Sequence, residues 1–225
     1  MRKNELINRF RGQPLFTLDE VLQALGSNGN RRSIVSRLHS LARQGVVCRL
    51  RRGVYTLAPE LRAPELQQIS VLSCVNKLYG PAFVSTWWAA GWHGLTADMP
   101  AHVTAVTPRK SRDFSTCLGR ISYHQIQPGL MFGYRRVAIY GQEVLLADKE
   151  KALLDILYLE MHTCKLRKFV HLHFNPGVLE DLDFNRLAMY EKRYRSINHR
   201  QCWASNSFMF LMFAEKYSDI FYGLD

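Results

Sequence analysis

Asn30-Arg31-Arg32-Ser33-Ile34-Val35-Ser36-Arg37-Leu38-His39-Ser40-Leu41-Ala42-Arg43-Gln44-Gly45, followed at once by Val46-Val47-Cys48-Arg49-Leu50-Arg51-Arg52-Gly53-Val54-Tyr55-Thr56-Leu57, is the stretch from which the rest of the chain is read. Ile34, Leu38 and Leu41, with Val35 and Ala42, recur at helical spacing and form one apolar stripe, which predicts a helix from about Arg31 to Gln44. Asn30 stands where an N-cap is needed, and Gly45 where a helix ends in a left-handed residue. The opposite face carries Arg32, Ser33, Ser36, Arg37, Ser40 and Arg43, with Arg31 in the first turn. Residues 46–50 then read as a strand, Arg51-Arg52-Gly53 as a tight turn, and 54–57 as the returning strand.

Upstream, Leu6, Ile7 and Phe10 have helical spacing, closed by Gly12-Gln13-Pro14, and Leu15-Phe16 reads as a brief extended segment. Thr17-Leu18-Asp19-Glu20 is a capping box, in which hydroxyl and carboxylate each take the other residue's amide. It opens a helix with Leu18, Val21, Leu22 and Leu25 on one face, and Gly26-Ser27-Asn28-Gly29-Asn30 breaks that helix. Helix, brief strand, helix, helix and a two-stranded ribbon in this order predict a winged helix-turn-helix over residues 1–60. Its third helix has the dimensions to enter the major groove, where Arg can donate two bonds to guanine. The ribbon arginines would reach backbone or minor groove. The expected DNA contacts are Thr17, Arg31, Arg32, Ser33, Ser36, Arg37, Ser40, Arg43, Arg49, Arg51 and Arg52.

Charge agrees with that division. The chain carries a formal +11, but residues 1–57 hold eleven Lys and Arg against three acids, and no acid occurs between Glu20 and Glu60. A helix face with no negative charge repels itself unless an anion lies against it. With 47% hydrophobic residues there is material for a full core. No apolar run approaches the roughly 20 residues that span a bilayer, and Met1-Arg2-Lys3-Asn4-Glu5 leads into a polar helix rather than a signal-peptide core, so a cytoplasmic protein is expected. Five scattered cysteines (Cys48, Cys74, Cys117, Cys164, Cys202) form no C-x-x-C pair, which in a reducing compartment implies free thiols.

Beyond a proline-stiffened linker at 58–64, residues 65–225 read as a mixed α+β domain, making the whole chain α+β. Expected are an amphipathic helix over 65–79 and a strand at 82–84. Ser85 should cap a helix holding Trp87, Trp88 and Trp92 as core, ended by Gly94. Strands follow at 102–107, 121–126, 136–140 and 144–146, then a strong helix over 148–159 with Ala152, Leu153, Ile156 and Leu157 buried. The tail is read as mainly helical, with apolar segments at Leu179, Leu182 and Phe184 and at 208–213.

Four segments occur in an order that resembles the AbiEi-type antitoxins, a family of transcriptional regulators of viral defence. They are residues 52–57 (RGVYTL), Val84-Ser85 with Gly94-Leu95, residues 103–107 (VTAVT), and residues 147–155 (ADKEKALLD). The likeness runs from about residue 5 to residue 160. It implies a repressor that acts on its own promoter through inverted repeats. It also implies a body that counteracts a nucleotidyltransferase-like toxin, in the manner of a type IV system without a stable complex.

Other chemistry is weaker. Asp148-Lys149-Glu150-Lys151 lacks the acid-x-Lys spacing of restriction-type nucleases and reads as a capped helix with surface ion pairs. His162, Cys164, His171 and His173 are four soft ligands within twelve residues, yet without the paired spacing of zinc sites. There is no G-x-S-x-G and no phosphate loop. Neither cofactor nor enzymatic activity is expected. The two rival readings are a stand-alone regulator with a ligand- or partner-sensing body, and a DNA-processing enzyme with a docking domain.

Overall fold

The capping box at Thr17, the Asn30 cap and the helix end at Gly45 each have a local bond behind them. The computed structural model describes residues 2–24, 30–97, 99–162 and 174–197. Helix α1 (Lys3–Phe10) buries Leu6 and Phe10 and is followed by strand β1 (Phe16–Thr17) and helix α2 (Leu18–Ala24). The Thr17 amide donates to Glu20 Oε2 at 2.6 Å and the Glu20 amide to Thr17 Oγ1 at 3.1 Å, so the capping box forms. Leu25 and the breaker at 26–29 lie outside the described residues. Helix α3 (Arg31–Arg43) starts where Asn30 Oδ1 accepts the Arg32 amide at 3.0 Å. It ends with the Gly45 amide on the Ala42 carbonyl and the Val46 amide on the Leu41 carbonyl, at a Gly45 φ of +71°. Strands β2 (Val47–Arg51) and β3 (Val54–Leu57) follow, and the antiparallel sheet has the order β1-β3-β2.

The connection at 58–64 is held more firmly than a linker. Arg62 is buried and donates from Nε to the Leu57 carbonyl at 2.9 Å and from Nη1 to the Gln67 carbonyl at 3.2 Å and the Leu66 carbonyl at 3.5 Å. Those bonds correct the helix expected over 65–79. The carbonyls of Leu66 and Gln67, needed by a continuing helix, are taken by Arg62, and the Ser70 amide is taken by Gln142 Oε1 at 2.9 Å. The segment instead forms 3₁₀ turns at Pro64–Leu66 and Val71–Cys74, and helix α4 covers only Val75–Tyr79.

The body is built on a six-stranded mixed sheet. Its strands are β4 (Phe83–Val84), β5 (Val103–Thr107), β6 (Arg112–Thr116), β7 (Gly119–Gln125), β8 (Tyr134–Ile139) and β9 (Gln142–Ala147), in the order β6-β7-β5-β4-β9-β8. β6, a polar edge strand with little apolar alternation, is an addition to the expected set. Every residue of β5 is buried, so both faces are covered. On one face Tyr123 of β7 donates to the Val75 carbonyl of α4 at 2.8 Å. Thr104 points to the other face, because Ala105 and not Thr104 pairs with Tyr123, and there helix α5 (Thr86–Trp92) packs with α6 (Lys149–His162). Helices α7 (Pro176–Glu180) and α8 (Phe184–Ile197) complete the described chain, burying Leu179 and Leu182. The whole is α+β. The apolar segment expected at 208–213 lies outside the described residues.

Two cysteine expectations are corrected. Cys48 on β2 and Cys117 in the β6–β7 turn form a disulfide across 69 residues of sequence, because β2 lies against β6. Cys74 is the free thiol among the described residues and is buried; Cys164 and Cys202 lie outside them. Nor does the core divide at residue 60. Leu15, Leu50 and Val54 belong to the same buried cluster as Phe83, Ile121 and Leu146, whereas Leu6, Phe16, Leu38 and Tyr55 form a smaller one. Replacing Arg62 by Met removes the charged donor from the buried Leu57 carbonyl and leaves the part-buried carbonyls of Leu66 and Gln67 to water; loss of a donor from a buried acceptor costs about 1–3 kcal/mol. Urea unfolding of Arg62→Met should therefore show a loss of about 1–3 kcal/mol; an unchanged midpoint would contradict this account of the connection.

Candidate nucleic-acid interface

With 3.6 residues per turn, burying Ile34, Leu38 and Leu41 turns Arg32, Ser36, His39 and Arg43 outward on the opposite side of α3. All four are exposed. Together with Arg31, Val35, Ala42 and Arg49 of β2, they line an open cleft of about 800 Å³. No carboxylate pairs with Arg32, Arg37, Arg43, Arg49 or Arg52 among the described residues. Arg31 does have a partner, Asp19 Oδ1 at 3.2 Å, on an exposed surface where such a pair contributes about 0–1 kcal/mol. Two arginines in the first turn also oppose the helix dipole, which by itself costs about 0.3–1 kcal/mol each. An anion at that end reverses the sign of the effect.

The remaining expected residues separate. Ser33 and Arg37 are exposed but lie on the flank of α3 outside the cleft, and Ser40 Oγ is met by Gln44 Nε2 at 3.1 Å. Thr17 is half-buried, with its hydroxyl held by Glu20. Arg52 is exposed in the turn beside Gly53, whose φ is +80°. Arg51 is half-buried with Nε shut off from solvent and without a partner, on a strand side that faces the body. His39 was missed: the 32, 36, 39, 43 periodicity names it, but a count of Arg and Ser does not. Of the four soft ligands, Cys164, His171 and His173 lie outside the described residues, and His162 is described only as the last residue of α6.

A second polar cluster is entirely enclosed. Expected as a surface, the Asp148–Asp155 turn of α6 is instead buried around Lys151 and Asp155, since α5, the sheet and α8 all pack on it. Lys151 Nζ donates to Asp155 Oδ1 at 2.5 Å, Tyr194 OH to the same oxygen at 2.6 Å, and Ser85 Oγ to Asp155 Oδ2 at 2.6 Å. The ammonium also faces the rings of Tyr194, Phe132 and Phe83 at 4.8, 5.0 and 5.7 Å. Burial pushes Lys151 toward its neutral form, which Asp155 resists. Ser85 occupies the cap position of α5 without capping it. Thr104 Oγ1 accepts the Trp88 amide at 3.0 Å in its place, which leaves the Ser85 hydroxyl for Asp155. The tryptophans divide: Trp88 is buried, Trp87 half-buried, and Trp92 is 38% exposed.

No family model matches the chain, and no curated protein matches it.

Two outcomes follow from the enclosed groups. Lys151→Met leaves a buried carboxylate unpaired and should cost about 3–5 kcal/mol, while Lys151→Met with Asp155→Leu should recover much of it. Equal losses in both variants by urea unfolding would argue against the pair. His93 Nε2 meets the Ala147 carbonyl at 2.8 Å, and burial holds both His93 and His124 below the ordinary 6.5. Below pH 6.5 the unfolded chain therefore binds more protons than the folded one, so stability is full above that pH and falls as pH drops toward the folded-state values. The melting temperature measured between pH 7 and 5 should decrease, and less so in His93→Gln.

Proposed function

We propose that the chain is a DNA-binding transcriptional repressor whose residues 1–60 form a winged helix-turn-helix, with residues 65–225 as effector. The order α1-β1-α2-α3-β2-β3 and the sheet order β1-β3-β2 support the winged-helix reading. The observation that carries the function is the acid-free outward face of α3, with Arg32, Ser36, His39 and Arg43 beside Arg49. A helix of that section fits the major groove, with Arg32 and Arg43 directed at base edges and Arg49 and Arg52 at phosphates. Such a protein works in the cytoplasm. No described helix is long and apolar enough to cross a membrane.

The resemblance to the AbiEi-type antitoxins supports the rest of the reading: repression of its own promoter through inverted repeats, and antagonism of a nucleotidyltransferase-like toxin by the body. Three of the four resembling segments supply Ser85, Thr104 and Asp155 to the enclosed cluster, so in this chain they support the body's framework rather than a contact surface. A regulator with a ligand-sensing body is the second reading, favoured by a cleft of about 530 Å³ lined by Trp87, His124, Gln125 and Gln127 among others.

Titration of duplex from upstream of the gene, against scrambled duplex at two salt concentrations, tests the proposal. The full chain should bind the first more tightly, with affinity falling steeply as salt rises. Arg32→Ala should cost about 1–3 kcal/mol on the upstream duplex and little on the scrambled one. Arg49→Ala with Arg52→Ala should weaken both and lower the salt slope by about 2. Salt-independent binding, or none, would overturn the reading.

A further inference from the structure

The disulfide sits at a place where it joins what is read as the DNA-binding module to the body. Cys48 lies on β2, one residue before Arg49 of the cationic cleft, and Cys117 lies in the turn between β6 and β7 of the large sheet. Cys117 is exposed and Cys48 half-buried, so the bond is within reach of solutes. Cys74 offers no competing thiol, since it is fully buried and burial pushes its thiol up to about 11. A protein that acts on DNA in a reducing cytoplasm keeps an accessible disulfide only transiently, and such bonds there are redox-sensing or catalytic.

We propose that Cys48 and Cys117 are a thiol–disulfide modification site, closed by a low-molecular-weight disulfide such as oxidised glutathione, that sets the DNA affinity of the module. The role in DNA binding rests on the function proposed above. In the closing reaction the Cys117 thiolate attacks one sulfur of glutathione disulfide and releases one glutathione thiolate. The Cys48 thiolate then attacks Cys117 Sγ of the mixed disulfide, forming the intramolecular bond and releasing the second glutathione. The two protein thiols lose two protons and two electrons, and one glutathione disulfide becomes two glutathiones. Closed, the bond holds β2, and with it Arg49, against the body hairpin. Open, β2 keeps its ladder with β3, its side contact with β6 and the anchorage of Leu50 in the core, but loses the covalent tie to the body hairpin beside Arg49. A contact element fixed before binding loses less freedom on binding, so the closed form binds DNA more tightly.

The full chain is equilibrated in glutathione buffers of set ratio, free thiols are alkylated, and peptides are mapped by mass spectrometry. In parallel, affinity for the upstream duplex is measured in each buffer. Expected are a Cys48–Cys117 linked peptide that forms and disappears reversibly, and an affinity roughly tenfold higher in the oxidising buffer. Cys117→Ser, a change in an exposed turn, should bind with the reduced affinity in both buffers. Alkylation of both cysteines in the oxidising buffer, or equal affinity of the wild type in both, overturns the switch while leaving DNA binding in place. Absence of binding in both buffers overturns the DNA reading and the regulatory role with it, whatever the peptide map shows.

Discussion

Asp155 is the group on which the body depends. Its two carboxylate oxygens take Ser85 from the β4–α5 junction, Lys151 from its own helix and Tyr194 from α8, so one side chain joins three elements far apart in sequence. An ion pair enclosed this way gains less than its Coulomb energy suggests, because both charges have left water. What it does secure is uniqueness. Any other packing of α6 would strand an ammonium or a carboxylate in an apolar interior, at a cost of several kcal/mol.

That demand propagates to the sheet. Because the Ser85 hydroxyl is committed to Asp155, the start of α5 is capped from a neighbouring strand, where Thr104 accepts the Trp88 amide and donates to the Ser85 carbonyl at 2.8 Å. Thr86, a β-branched residue, is held at a φ of +56°, an uncommon conformation that such residues reach only when their surroundings over-determine them. Its hydroxyl donates to Thr104 Oγ1 at 2.8 Å. The strain and the compensating bonds occupy the same few ångströms.

The connection between the two parts follows similar logic. Arg62 takes the Leu66 and Gln67 carbonyls that a helix would otherwise have used, together with that of Leu57, and Leu15, Leu50 and Val54 place the small sheet in the body's core. A cationic surface on α3 is thus mounted on the body's core rather than on a tether, and the Cys48–Cys117 bond crosses the same seam.

The N-terminal elements were readable from residues alone, because what determines them is local. Thr17 with Glu20, Asn30 with Arg32, Gly45 with Ala42 and Val46 with Leu41 are bonds within a few positions, and the 34, 38, 41 stripe fixes which face of α3 is outward. The same periodicity groups Arg32, Ser33, Ser36, Arg37, Ser40 and Arg43, of which Arg32, Ser36 and Arg43 share the cleft. Tertiary structure decided the rest, because the deciding partners are distant in sequence. Arg62 and Gln142 ended a helix that periodicity favoured, and Thr104 took over a cap that Ser85 was expected to supply. The packing of α5 and α8 on α6 turned an expected charged surface into an enclosed ion pair. A disulfide across 69 residues and a half-buried Arg51 likewise depend on β2 lying against β6, a contact between strands whose sequences carry no sign of each other.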